Sequence, residues 1–164
     1  MVGMLGSVLF LNKGTKNIDW RIQVWKDTVT MIKERPVLGH GVNTYMRILE
    51  EYNRDAKFNP TYAHNSLLQL AAEIGILGLF YFLYILKNLF QYAIETLTGI
   101  RNKEEEVLLL GLGLFSGVLG FLVHSLFDTN LYSLQLVIYF WYMAGILVAL
   151  CHLMNVTPSG KKRK

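Results

Sequence analysis

The sequence has few of the residues from which proteins build disulfides, metal sites or nucleotide sites. Cys151 is the only cysteine among 164 residues, which excludes an intrachain disulfide. No cysteine and histidine cluster has the spacing of a zinc site, and no glycine-rich loop precedes a Lys-Ser or Lys-Thr pair. We therefore predict that the chain uses no metal and no cofactor.

Charged residues are also scarce, at 17% of the chain against 52% hydrophobic residues. The apolar residues gather into long blocks, which a bilayer accepts and water does not. Four of the sixteen basic residues form the tail at 161–164, and beside a hydrophobic segment such a tail is typical of a cytoplasmic membrane flank. The composition therefore predicts an all-α, multi-pass transmembrane helical bundle that contacts membrane lipid and no nucleic acid.

Hydropathy divides the chain into eight segments. In order, they are a partial transmembrane helix at 1–11, an extracytoplasmic loop at 12–65, a transmembrane helix at 66–90, a cytoplasmic connection at 91–106, a transmembrane helix at 107–127, an extracytoplasmic turn at 128–130, a transmembrane helix at 131–151 and a basic cytoplasmic tail at 152–164. The segments are assigned to the cytoplasmic or the outer side from the Lys and Arg residues of the connection and the tail, which mark the cytoplasmic side. Because the first segment is too short to span a bilayer, we predict that the chain is a fragment of a longer protein.

The loop at 12–65 has a helical pattern of its own. Five apolar residues recur at spacings of three and four, which indicates one face of an amphipathic helix: Ile18, Ile22, Trp25, Val29 and Ile32. Arg35-Pro36 predicts its end, and a second helix is predicted at 44–52 with Asn43 as its N-cap. The loop holds nine Lys and Arg against six Asp and Glu, which is unusual for an extracytoplasmic loop. Either the predicted orientation is wrong, or the loop keeps these cations for an anionic ligand at the outer surface.

The most specific pattern lies where the loop meets the first complete span. His64-Asn65 is followed after nine residues by Gly75 and after two more by Gly78. Upstream of it stand Arg21, Trp25 and a Pro36-x-x-Gly39-x-Gly41 turn. Together these motifs resemble the large periplasmic loop of bacterial O-antigen ligases and polymerases, and the resemblance runs from about residue 19 to residue 146. It implies the C-terminal part of a helical bundle of the GT-C type in the bacterial inner membrane.

The resemblance also implies an activity. Members of this family take a glycan from undecaprenyl pyrophosphate at the outer face of the plasma membrane. Ligases pass it to a hydroxyl of lipid A core, whereas polymerases join it to another glycan repeat unit. The chain is thus expected to be part of a metal-independent glycosyltransferase, and this stretch does not separate a ligase from a polymerase. A non-catalytic, transporter-like module is a third possibility, but it would carry polar residues at the span centres, which are apolar here.

Transfer from a pyrophosphate requires a group that stabilises the leaving phosphates and a base that takes the acceptor's proton. Arg21 matches the family's loop arginine, and a guanidinium grips phosphate oxygens in pairs. Arg35 is a weaker candidate for the same task. His64 is predicted to be the base, because imidazole is the side chain that changes charge near neutral pH.

The remaining candidates have two interpretations each. Asp128 either orients His64 or caps a tight turn. Asn65 is assigned to the substrate-binding site, where it either caps the first span or orients His64. Gly75 and Gly78 are predicted to permit close helix packing. Glu73 lies about 13 Å along the helix from His64, so no direct partnership is expected, and His124 is predicted to serve packing.

Overall fold

The computed structural model describes residues 20–52, 61–99 and 105–156. These ranges are helical almost throughout and contain no strand, which confirms the predicted all-α class. The elements are α1 at 20–34, α2 at Tyr45–Tyr52, α3 at Ser66–Gly99, α4 at Glu105–Ser125, a 3-10 turn at Asn130–Tyr132 and α5 at Leu134–Val156. The predicted partial helix at 1–11 and the basic residues at 161–164 lie outside the described residues.

Three of these helices, α3, α4 and α5, are long and apolar enough to cross a membrane, which confirms the predicted multi-pass architecture. The chain divides into two compact units, Met1–Leu79 and Phe80–Lys164. Helix α3 begins in the first unit and ends in the second. The candidate catalytic loop at 12–65 belongs to the first unit.

The first unit is built around a small core in which α1 and α2 pack with the start of α3. Its buried members are Val24, Met31, Tyr45, Leu49, Ala63 and Ala72. The amphipathic helix predicted in this region is present, but its buried face is rotated. Ile22 and Val29, predicted to face inward, are exposed, whereas Thr28 is fully buried. Thr28 takes this place because its hydroxyl donates to the carbonyl of Val24 at 2.7 Å and bonds the hydroxyl of Tyr45 at 2.5 Å.

Helix α3 has two parts that meet at Gly75. This residue has φ 73° and ψ 177°, a conformation that is essentially restricted to glycine. Before it, the residues at 66–74 bury the polar side chains of Ser66, Gln69 and Glu73. After it, large apolar side chains become exposed, beginning with Ile76. The helix after the break, at 76–99, is about 36 Å long, enough for a hydrocarbon layer of about 30 Å.

The second unit contains the rest of α3 together with α4 and α5. Phe140 lies at its centre, fully buried, and stacks on Phe121 with ring centroids 4.8 Å apart. Val118 of α4 and Ala144 of α5 are buried in the same cluster. These contacts join the two later spans along their apolar faces.

The helix that begins at Ser66 continues well past its predicted end at residue 90. Residues 91–99 were predicted to belong to the polar connection, yet they are helical. Ala93 and Leu97, one turn apart, are buried there. In addition, Asn155 of α5 donates its amide to the hydroxyl of Thr96 at 3.0 Å. Packing within the second unit therefore keeps this polar stretch helical.

The later boundaries shift by smaller amounts. Helix α4 runs two residues earlier than the predicted span at 107–127, from Glu105 to Ser125. Helix α5 begins at Leu134 rather than at 131, because the residues at 130–132 form the 3-10 turn.

Candidate functional site

The Pro36-to-Gly41 turn lies directly against the break in α3. At the break, helical hydrogen bonds are lost and backbone groups need other partners. Two carbonyls before Gly75 accept from the turn, Ala72 from His40 at 2.9 Å and Glu73 from Gly41 at 2.8 Å. Two amides after it donate to the turn, Ile76 to Pro36 at 2.7 Å and Leu77 to Val37 at 3.4 Å. The two glycine motifs of the sequence thus meet as one hydrogen-bonded structure.

The glycines of this structure allow the two backbones to touch. Gly39 has φ 69°, and a Cβ there would lie 2.4 Å from the carbonyl oxygen of Glu73. A Cβ on Gly75 would lie 2.1 Å from the carbonyl oxygen of Val37. The prediction that Gly75 permits close packing between helices is therefore wrong, since the close neighbour is a loop backbone. For Gly78, the nearest side chain is Ile74 of the same helix.

Glu73 holds the start of α2. Its side chain is 2% exposed, and its carboxylate accepts from the backbone N–H of Asn43 at 2.9 Å and of Tyr45 at 3.2 Å. A negative charge at a helix N-terminus is favourable. The prediction of Asn43 as N-cap is wrong, because the helix begins at Tyr45 and Asn43 adopts φ 59°. The cap comes instead from a residue far along the chain.

Replacing Glu73 with glutamine is expected to destabilise the first unit by about 2–3 kcal/mol, since the amide keeps one acceptor and turns a donor toward the other N–H. The matched control is Glu50→Gln on α2, where the side chain is exposed. Thermal unfolding of the purified variants, with limited proteolysis of the loop, measures the difference. Equal stability of the two variants would show that the Glu73 contacts are not important for the loop.

His64 lies at the end of the segment that enters α3, and α1 holds it in place. Its ring contacts the ring of Trp20 with centroids 4.9 Å apart. The indole of Trp25 donates to the carbonyl of the preceding residue, Ala63, at 2.9 Å. The N–H of Ala63 in turn donates to the side-chain oxygen of Gln69 at 3.1 Å. His64 is half-buried and has φ 49°, so the surrounding contacts maintain an uncommon backbone conformation.

Asn65 begins the helix that follows. Its side-chain oxygen accepts from the N–H of Leu68 at 3.0 Å, and its carbonyl accepts from Gln69 at 3.1 Å. This is the geometry of an N-cap, the first of the two roles predicted for it. Asn65 therefore fixes the point at which the loop becomes the helix, directly beside His64.

The predicted arginines lie at opposite ends of α1. Arg21 follows Trp20 in the chain and is half-buried, while Arg35 comes directly after the last helical residue and is exposed. The helix between them is about 20 Å long. Because Trp20 contacts His64, the structure brings the turn that carries Arg21 beside His64. It leaves Arg35 at the far end of the helix.

Asp128 lies in the second unit, in the turn between α4 and α5. Its carboxylate accepts from the N–H and the hydroxyl of Thr129, at 2.8 and 3.4 Å. Nearby, the amide of Asn130 donates to Nδ1 of His124 at 2.7 Å. The packing role predicted for His124 is wrong, since its side chain is exposed and hydrogen-bonded. The contacts of Asp128 with Thr129 agree with a turn cap, and its orienting role remains a prediction.

Two tyrosines of the first unit stay neutral. Burial raises the pKa of Tyr45 well above its ordinary value, although the hydrogen bond with Thr28 opposes this. Its hydroxyl can then donate to Thr28, whose own proton goes to Val24. The hydrogen bond from Tyr52 to the carboxylate of Glu34 raises the pKa of Tyr52 to about 12. Both phenols therefore fix the loop as hydrogen-bond donors.

Sequence reasoning missed Trp20 and Gln69, and it missed the role of Glu73 at the start of α2. A signal for the latter two was available, because Ser66, Gln69 and Glu73 recur at spacings of three and four on an otherwise apolar segment. Such a polar stripe predicts a buried, hydrogen-bonded face. Over 20–52, 61–99 and 105–156, no group of three or more His, Cys, Asp or Glu residues is placed to hold a metal ion.

Comparison with known proteins gives two matches. Residues 3–83 match the model of the family described as O-antigen ligase. A protein of Rickettsia conorii with the provisional name polysaccharide ligase is 23% identical over an alignment of 146 positions, which covers 84% of this chain. The chain spans about a third of that relative, 32% of its length. No solved structure matches the chain significantly.

Proposed function

We propose, from the match of residues 3–83 to the O-antigen ligase family, that this chain forms the acceptor-activating part of a glycosyltransferase. The donor is a glycan on undecaprenyl pyrophosphate, and the acceptor is a hydroxyl of lipid A core. A polymerase of the same family would use the same donor with a glycan repeat unit as acceptor. The ligase and the polymerase thus differ in their acceptor, and the proposed role of the loop is the same in both.

One observation carries this proposal, the contact between Trp20 and His64. Arg21 is the next residue of the same helix, so a phosphate-binding cation and an imidazole belong to one small region. Both residues are half-buried, and thus still accessible to a substrate. Contacts of Ala63 and Asn65 hold the backbone on either side of His64. A base that is held in a fixed position favours transfer, because small displacements of the reacting groups lower the rate strongly.

In the proposed reaction, the acceptor oxygen attacks the anomeric carbon while His64 takes the hydroxyl proton. The bond from that carbon to the pyrophosphate breaks, and undecaprenyl pyrophosphate leaves. Arg21 stabilises the charge that develops on the leaving phosphates. Arg35, at the far end of α1, is better suited to a second contact with the donor than to the reacting phosphates.

This function requires a location at the outer face of the bacterial inner membrane. The loop at 12–65 would then be extracytoplasmic, with the connection at 91–106 and the tail at 152–164 in the cytoplasm. Because the chain spans about a third of its relative, we expect transfer from the full-length protein and not from these 164 residues alone. A complementation assay in a ligase-null strain compares the two.

The transporter-like alternative is less well supported by the placement of polar residues. In the first part of α3, Gln69 and Glu73 are buried before the break at Gly75, where they bond the loop. In α4, the buried polar residue is Ser125, the last residue of the helix. A transport pathway is expected to place polar residues near the middle of the spans, whereas here they lie at helix ends and in the loop.

Replacing Arg21 with lysine in the full-length protein is expected to lower transfer about 10- to 100-fold, because lysine keeps the charge but loses the paired contacts with phosphate. The matched control is Arg47→Lys, an exposed arginine of α2, which should keep the wild-type rate. Transfer is measured with lipid-linked donor, with and without EDTA. Normal activity of Arg21→Lys, or loss in EDTA that added metal restores, would overturn this mechanism.

A further inference from the structure

An uncharged surface lies beside the point where the span of α3 begins. The loop at 36–42, Pro-Val-Leu-Gly-His-Gly-Val, holds no charged residue. Three of its side chains are largely exposed, Val37 at 60%, Leu38 at 73% and Val42 at 75%. Exposed apolar side chains that lie together usually mark a contact surface. We call this segment the apolar loop.

The apolar loop is continuous with the apolar surface of the span. The amides of Ile76 and Leu77 donate to the carbonyls of Pro36 and Val37, so these backbones are in contact. Ile76 and Leu77 are themselves exposed and are the first large apolar side chains to become so along α3. The loop therefore meets the helix at the level where a lipid-facing surface begins.

Two further features suit this loop to the edge of a bilayer. Its backbone is largely hydrogen-bonded, which lowers the cost of leaving water: Gly39, His40 and Gly41 donate, and Pro36, Val37 and Gly41 accept. Exposed basic residues stand on both sides of it, Lys33 and Arg35 before and Arg47 after. Such residues keep their charge among headgroups while their stems lie along apolar surface.

We infer that the apolar loop is a membrane contact, in which Val37 and Leu38 insert among the acyl chains of the leaflet next to the break at Gly75. Lipid is the occupant that follows from continuity with the span. The contact fixes the height of the first unit above the bilayer through the hydrogen bonds to α3. It does not depend on the chain being a transferase.

Fluorescence quenching by lipid tests this inference. In a Cys151→Ala background, single cysteines at Leu38, Glu50 and Phe80 carry an environment-sensitive label, and the chain is reconstituted in phosphatidylcholine and phosphatidylglycerol vesicles. Leu38 is the test position, Glu50 is an exposed position on α2, and Phe80 is exposed on the span. Circular dichroism confirms that each labelled variant keeps its helix content. Phosphatidylcholine with a nitroxide at carbon 5 of the acyl chain then quenches labels that lie in the leaflet.

The label at Leu38 is expected to be quenched at least half as strongly as the label at Phe80, and several-fold more than that at Glu50. Quenching at Leu38 no greater than at Glu50 would overturn the inference. Water-like emission would then show that the loop faces solvent. Blue-shifted emission without quenching would show that protein covers it, either a second copy or another part of a longer chain.

Discussion

Replacing His64 with alanine in the full-length protein is expected to lower glycan transfer by about 10² to 10⁴, the typical cost of losing a general base. The protein should still reach the membrane in normal amounts, because the core of the first unit does not include His64. Surface polysaccharide in a ligase-null strain, with immunoblotting of the membrane fraction, measures both quantities. The control is His152→Ala, an exposed histidine of α5, which should behave as wild type.

A second variant separates chemistry from backbone conformation. His64 has φ 49°, a left-handed conformation that asparagine tolerates better than alanine does. His64→Asn should therefore disturb the fold less than His64→Ala, yet lose transfer to a similar extent because it lacks a base. If His64→Asn retained most of the activity, the imidazole would be a structural group and the proposed base would lie elsewhere.

Replacing Gly75 with alanine is expected to destabilise the first unit by about 3 kcal/mol or more. The conformation with φ 73° and ψ 177° is strained for any side chain, and the new Cβ would lie 2.1 Å from the carbonyl oxygen of Val37. Relief requires the loop to move away, which breaks the hydrogen bonds of Ile76 and Leu77 to it. Glycan transfer should fall together with the stability of the first unit, since the hydrogen-bonded loop at the Gly75 break supports α2 and the first part of α3.

The matched control is Gly113→Ala in α4, because a Cβ there meets nothing within 4 Å. That change should be neutral or stabilise by up to about 1 kcal/mol, as alanine is the better helix former. Thermal unfolding and limited proteolysis compare the two. Gly39→Ala should resemble Gly75→Ala, and the double variant should cost less than the sum, because both changes separate the same two backbones. Full additivity would mean that the glycines act independently.

The parts of the fold that rest on composition and periodicity could be predicted from the sequence. Long apolar blocks identify the three spans, and the spacing of apolar residues identifies α1 before Pro36. The bounds of the spans were less accurate. Residues 91–99 contain Gln91 and Glu95, so hydropathy ends the span too early, while packing of Ala93 and Leu97 keeps the helix intact.

The parts that rest on contacts between distant residues could not be predicted in this way. Asn43 is a good local N-cap by residue type, yet the carboxylate of Glu73 takes that role from thirty residues away in sequence. Thr28 is buried in place of apolar neighbours because Tyr45 offers its hydroxyl. A pattern of apolar residues contains no information about such hydrogen-bond partners.

The candidate site shows the same division. The His64-Asn65 motif and its glycines marked the stretch in which the loop meets α3, but suggested helix packing for Gly75. The actual role of Gly75 follows from its φ of 73° and from the close approach of the Val37 backbone. Both depend on contacts between distant parts of the chain, which the motif does not encode. Trp20, whose ring contacts His64, had no motif to distinguish it from any other aromatic residue of an amphipathic helix.

The most direct measurement of the proposed role of the loop is transfer in vitro by the purified full-length protein. The assay supplies a glycan on undecaprenyl pyrophosphate and a lipid A core acceptor, and follows the formation of the joined product. We predict product with the wild-type protein and a rate lower by about 10² or more with His64→Asn, the variant that best tolerates the backbone conformation of residue 64. Absence of transfer from this donor by the wild-type protein, or equal rates for the two proteins, would contradict the account.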